Sequence, residues 1–395
     1  MSFKKHGYIR NQDWVKDYKF LATPLPQKDE LLTSWLTRTA FAHGMTLNNF
    51  FSHFIRHDGT ALTRTDLDFQ YRPKLIQNIF KSSNLPIETI QNMSLRSEEG
   101  YLYISDGLYP PKAIRKLIDK RTHFGLMYCP LCLEEDKHPY YRKQWRYLFY
   151  NACPKHGIYL KDRCGICFEN IKLKNMPIKN QIIFCHNCGR DLRLTRPVKV
   201  QNNHRYGLEA IKWFEDGLKN GFFTINNQKV RSLFVFQAFT NLQYLINRQK
   251  HLVLDDFQMF EDYKKLCKKL KHYNSKKCGP IYRDFFMTSI IYYLFQNYPY
   301  NLQKFALDNS LTHRDFTHGF QNIPFWYKKM IDEVIPMQNK IGREISESEV
   351  LGAINYLKKL EKNITQESVA EVVGCHFTIH KGFVRIYKNI TSYLR

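Results

Sequence analysis

The chain has 395 residues, 43% hydrophobic and 15% aromatic, which is enough for two or three domains with cores of their own and too apolar for a solvating tail. Sixty Lys and Arg against 36 Asp and Glu leave a formal charge of +24, which favours a polyanionic partner, nucleic acid ahead of an anionic membrane. No run of 18 apolar residues occurs, and the basic stretch Met1 to Arg10 is followed by no apolar segment, so neither a membrane span nor a secretory signal is expected; the expectation is a cytoplasmic protein with reduced thiols.

In chain order, residues 1 to 22 are basic and aromatic without a period, and Pro24 and Pro26 set them off from the next segment. Leu31, Leu32, Trp35, Leu36 and Ala40 then recur at helical spacing, with Asp29 and Glu30 placed as first-turn acids and Gly44 as the stop. Shorter helices are expected over Leu47 to Arg56, Leu75 to Phe80, Ile87 to Met93 and Ala113 to Asp119, with a strand at Tyr101 to Ile104. These elements predict a helical N-terminal domain over 1–127.

The composition changes abruptly at Tyr128. Cys129 and Cys132, Cys153 and His156, Cys164 and Cys167, and Cys185 and Cys188 form four pairs, each with two intervening residues. A tight turn of that spacing aims two donors at one point, so the eight residues complete two tetrahedral zinc sites, one with three cysteines and a histidine and one with four cysteines. Sequential pairing and a cross-braced pairing, in which Cys129 and Cys132 join Cys164 and Cys167, give the same two donor sets. Disulfides or a redox pair are the alternatives. Both sites are closed by four protein ligands, which argues for a scaffold and against zinc catalysis. Trp145, Tyr147, Phe149 and Tyr150 suggest a strand pair beside the metal. The expected tandem zinc-finger or zinc-ribbon module, 128–200, stays basic, and Arg190 and Arg193, which begin a series continued by Arg196 and Lys199, are candidate backbone contacts.

Beyond Pro197 a helical C-terminal domain, 201–395, is predicted, with helices at Gly207 to Gly217, Val235 to Arg248, Phe257 to Lys271, Ile281 to Gln296, Asn301 to Asp308, Phe325 to Val334 and Ser346 to Lys362. Seven lysines between Asp262 and Lys277 make a basic helix, and Cys267, Cys278 and Cys375 read as ordinary thiols. At the end, Thr365 caps Gln366 to Val373, Gly374 and Cys375 break it, and Phe377 to Ile390 forms the next helix, a spacing that suits a helix-turn-helix. Ile379 stands one residue early for that register, with His380 where an apolar residue belongs. Thr378, His380, Lys381 and Arg385 are the candidate contacts to base edges or phosphate. The fold class is thus mainly α and multidomain: a helical N-terminal domain, a central tandem zinc-finger or zinc-ribbon module with short strands, and a helical C-terminal domain ending in a helix-turn-helix. No P-loop, HExxH, GxSxG or kinase signature occurs, so no catalytic residue is assigned and no enzyme is expected; a nuclease or transposase site would need carboxylates that no spacing selects.

Three stretches together resemble the TniQ/TnsD family of transposon target-selection proteins: Pro26, Asp29, Glu30, Leu31, Trp35, Leu36, Arg38, Ala40 and Gly44; the four metal-ligand pairs; and the helical region with its terminal helix-turn-helix. The resemblance implies a bacterial, nucleoid-associated, non-enzymatic adaptor that marks an insertion site on DNA and brings in an AAA+ ATPase regulator, which recruits the transposase. TnsD-like members read duplex DNA directly, whereas TniQ-like members ride on an RNA-guided CRISPR Cascade ribonucleoprotein and can act as a homodimer. A zinc-containing transcription regulator is the remaining reading.

Overall fold

The computed structural model describes residues 19–55, 66–69, 73–105, 113–114, 126–178, 181–249, 252–271, 281–318, 320, 323–334, 345–375 and 381–393. Two compact units emerge, Met1–Gln243 with Asp255–Gln296, and Tyr244–Leu254 with Asn297–Arg395. The protein is mainly helical with few short strands, and among the described residues no helix is long and apolar enough to cross a membrane.

In the first unit α1 (Leu32–Ala42) buries Leu32, Trp35, Leu36 and Ala40 in one core with Phe20, Phe50 and Phe54. Gly44, at φ 63°, ends it: the Gly44 amide donates to Phe41 O and the Met45 amide to Ala40 O, which closes the orphan carbonyls of the last turn. The expected first-turn acids are not there. Asp29 takes a left-handed conformation and Glu30 lies before the helix, buried and turned onto Arg38. Arg38 Nη1 stands 2.6 Å from Glu30 Oε2, Ser34 Oγ donates to Glu30 Oε1, and the Gln27 amide donates to Oε2. Trp35 Nε1 donates to Pro24 O, so the proline segment is fastened to the helix by the residues that give the stretch its sequence signature.

Next come α2 (Leu47–Phe50), a π-helical turn (Phe51–Ile55), α3 (Pro73–Ser83), α4 (Ile87–Asn92) and a 3-10 turn (Leu95–Glu98). Residues 101–104 form no strand; Tyr103 only bridges Glu99. Of the helix expected at 113–119, residues 115–119 lie outside the described residues.

Compactness does not respect the boundaries expected at 127/128 and 200/201. The backbone at 29–31 pairs with 141–143 across the first of them: Leu31 N donates to Tyr141 O and Lys143 N to Asp29 O. Arg146, in a 3-10 turn (Lys143–Arg146), is fully buried and bonds Asp66 Oδ2 at 2.6 Å and Asp68 Oδ2 at 3.2 Å. Burial pushes the Asp68 carboxyl up to about 6 even with Arg146 beside it. An N-terminal segment whose buried acids need a cation from the cysteine region is not a separate body.

The cysteine region contributes α5 (Pro130–Glu135) and the pair β1 (Ala152–Cys153) and β2 (Ile158–Tyr159). After it come α6 (Tyr206–Asn220), the hairpin β3 (Phe222–Ile225) and β4 (Gln228–Arg231), α7 (Ser232–Arg248), α8 (Gln258–Lys271) and α9 (Ile281–Phe295). The hairpin turns on Asn226 and Asn227, both at positive φ, as a two-residue connection requires. Phe149 of the cysteine region packs tilted against Phe214 of α6 and stacks on Phe236 of α7, and Asn151 donates to Thr288 of α9, so apolar rings hold this region onto the later helices of the unit.

The second unit contains α10 (Tyr300–Asp308), α11 (His313–Thr317), α12 (Phe325–Val334), α13 (Glu347–Lys359), α14 (Gln366–Val373) and α15 (Lys381–Tyr393). The last three enclose one core of Val350, Ile354, Leu357, Val369, Ala370 and Phe383. Ser346 with Glu349 and Thr365 with Ser368 form capping boxes at α13 and α14. Gly374, at φ 75°, ends α14, and residues 376–380, which carry Thr378, Ile379 and His380, lie outside the described residues.

Candidate metal centres

Cys129 is the N-cap of α5, its sulfur accepting from the Cys132 amide, and Pro130 starts the helix where no N–H is needed. The second half comes from the β1–β2 turn, in which the Cys153 carbonyl accepts from the Gly157 amide. This places the strand pair at the Cys153 to His156 knuckle and not at residues 145–150, where the ring-bearing segment folds instead as the turn that delivers Arg146. His156 Nδ1 stands 3.3 to 3.4 Å from the sulfurs of Cys129, Cys132 and Cys153, and Cys132 and Cys153 sulfurs are 3.6 Å apart.

The second group gathers Cys164, Cys167, Cys185 and Cys188, with 3.7 Å between Cys164 and Cys188 and 3.6 Å between Cys167 and Cys185. The grouping is sequential, not cross-braced. A disulfide needs about 2.05 Å between sulfurs, whereas sulfurs about 2.3 Å from one tetrahedral ion stand about 3.8 Å apart. Both clusters therefore fit a four-coordinate metal ion and no disulfide joins their members. Four thiols this close cannot all ionise without a cation, and burial, ahead of the neighbouring sulfurs, pushes the Cys185 thiol up to about 12, so an ion bound there displaces protons.

One partner of the first cluster gives no signal in the linear spacing. His156 Nε2 lies 2.9 Å from Glu135 Oε1, and Lys155 Nζ holds the other oxygen of that carboxylate. With Nδ1 turned to the thiols, the Nε2–H donates to Glu135, which fixes the ring and its tautomer. The Lys155 contact is the first cause holding the Glu135 carboxyl below its usual range.

The two knuckles of the second cluster are near copies. Each brackets its pair with a bridge, Arg163 to Asn170 and Phe184 to Asp191, and each puts a left-handed residue four after its first ligand, as the Cys153 knuckle also does. Gly157 and Gly189 fill that position in two knuckles, and Phe168 in the third, at φ 59°. Gly165 is required for another reason: a Cβ there would lie 2.9 Å from Thr195 Cγ2.

The basic candidates scatter. Arg190 is exposed beside the second cluster, whereas the Arg193 guanidinium is forked onto Asp191 at 2.7 and 3.1 Å. Arg385 is exposed on α15 with Lys388 one turn on, opposite the face that buries Phe383. Lys381 begins α15, Thr378 and His380 lie outside the described residues, and α8 pairs Lys264 with Glu261 and Lys265 with Asp262.

Two cysteine-rich clusters that could each hold a metal ion, set in a mainly helical chain, define a helical protein with candidate metal centres. The TniQ family model matches residues 21–160, a span that runs from the proline segment through α1 to the first metal cluster, and this part of the chain is a TniQ domain. A TniQ domain is the mark of target-selection adaptors in transposition, which as a family are not enzymes. No curated protein matches the chain.

Proposed function

We propose that this protein is a target-site selection adaptor for DNA transposition, which contacts target DNA and recruits an AAA+ ATPase regulator and, through it, the transposase. The observation that carries the reading is the TniQ match over 21–160. In this reading the ion in each cluster is a structural Zn2+, the commonest occupant of closed sites built from four cysteines or from three and a histidine, and the protein itself cleaves no DNA. The three helices α13 to α15 act as a helix-turn-helix module, in which Arg385 and Lys388 meet phosphate and Thr378, His380 and Lys381 are the candidates for base edges. Arg193, held by Asp191, contributes little to such a contact.

Fluorescence anisotropy with a labelled duplex between 50 and 200 mM salt tests the reading: the logarithm of affinity should fall with log salt at a slope of about −0.9 per contacted phosphate. Arg385→Ala should lower that slope by about one contact and leave helix content unchanged. A salt-independent affinity would overturn the DNA contact. Tight co-purification with an RNA-guided CRISPR effector, without duplex binding, would select the Cascade-borne adaptor instead, and metal-dependent strand cleavage would contradict the adaptor reading.

A further inference from the structure

Beside the second metal cluster lies an open groove of about 470 Å³, within the usual range of binding pockets. Its walls are the Cys164 knuckle, with Ile166 and Phe168, and the segment after the last ligand, with Leu194 and Val198. These are large apolar side chains left in water: Ile166 is 61% exposed, Leu194 64% and Phe168 48%. Isolated exposed side chains need no explanation, but four that converge on one groove do. Phe168 adds to the case, because it holds a left-handed position that the two sister knuckles give to glycine, and a bulky residue is disfavoured there.

Charge names the occupant. Arg190, Arg196 and Lys161 line the groove, and none of them makes an ion pair or side-chain hydrogen bond among the described residues. The lining carboxylate, Asp162, is already held by Arg163 Nε at 2.8 Å and Nη2 at 3.0 Å. Burial lowers the pKa of the Lys161 ammonium, so a carboxylate arriving there meets an underpaired cation. Phe168 and Tyr282 are the rings among the lining residues, and the exposed apolar wall is otherwise aliphatic, Ile166, Leu194 and Val198, which suits branched side chains better than a run of stacked bases. Side chains of a polypeptide suit it better.

We propose that this groove docks an acidic segment of a partner protein, with a bulky apolar anchor seated against Phe168 and Leu194 and flanking carboxylates paired with Arg190, Arg196 and Lys161. The proposal stands whether or not the chain selects transposition targets, since it concerns a peptide site and not DNA. The docked chain covers the exposed apolar walls and supplies the missing counter-charges together, so neither an acidic segment without an anchor nor an apolar one without acids should bind.

A random dodecapeptide display library panned on the metal-loaded full chain tests this. Enriched sequences should combine Asp or Glu with Leu, Ile or Phe, and the most enriched peptide, labelled for anisotropy, should bind at least tenfold more weakly to Phe168→Gly and to Arg196→Glu. Phe168→Gly relaxes the turn and Arg196 is exposed, so both variants should keep two metal ions per chain, counted by atomic absorption. No enrichment over a blank surface, or peptides that bind both variants as well as the parent, would overturn the proposal. So would displacement of the peptide by a (dT)12 oligonucleotide whose own binding the two variants abolish, which would make the groove a nucleic-acid site.

Discussion

The two metal clusters share a ligand spacing and differ in almost everything around it. In the first, all three cysteines are buried, the histidine is held by Glu135, which Lys155 holds in turn, and neighbouring residues reach into both the N-terminal helices and α6 to α9. In the second, Cys167 is half-buried, Cys188 is exposed, and the surrounding turns stand against solvent. Equal ligand spacings thus serve different settings: one cluster sits in the interior of a unit, the other has ligands open to solvent. Where the metal sits in the contact network, and not which donors hold it, decides what its loss does.

The sharpest way to break this comparison is to remove one ligand from each. Cys132→Ser should abolish cooperative melting of the first unit, because structural zinc supplies on the order of 10 to 16 kcal/mol in finger peptides and its loss here opens the core around α5. Cys188→Ser should lose one equivalent of metal while circular dichroism of the helices melts nearly as before. Equal thermal destabilisation by the two would remove the distinction. A smaller effect is expected one step out from the first cluster: Arg146→Met leaves Asp66 and Asp68 buried without their cation and should cost about 3 to 5 kcal/mol in denaturant unfolding. If Asp68→Asn in that background restores less than a third of the loss, the buried acids are not the cause. The smallest effects belong to the second cluster's turns. Gly189→Ala, with no atom within 4 Å of the added Cβ, should cost about 1 kcal/mol from its φ alone, and Phe168→Gly should recover a similar amount. Destabilisation by Phe168→Gly would mean that its ring packs usefully in the isolated chain.

The ligand pairs were legible because their geometry is local: two intervening residues, followed in three of the four pairs by a left-handed position, settle where both donors point. Helices α6 to α10 and α12 to α15 were legible for the same reason, their periods being written within a few turns, whereas the single-turn α11 was too short to show one. The unread features are those that cross the chain. Glu30 has the sequence position of a first-turn acid, and only the fold shows it turned back on Arg38. Arg146 lies 78 and 80 residues from Asp68 and Asp66, and no spacing announces their meeting. The β3–β4 hairpin is a different kind of miss, since Asn226 and Asn227 between short apolar runs are a readable turn signal that the surrounding helical pattern masked.

The backbone pairing of residues 29–31 with 141–143 has a consequence in time. Leu31 N–H is closed by Tyr141 O, nine residues beyond Cys132, while Thr33 N–H is closed by Asp68, whose charge leans on Arg146. Protection of these two amides is therefore a clock set by a metal ion that neither residue touches. In amide hydrogen exchange, stripping the first cluster should bring Leu31 and Thr33 from global to local opening, while stripping the second leaves both amides slow.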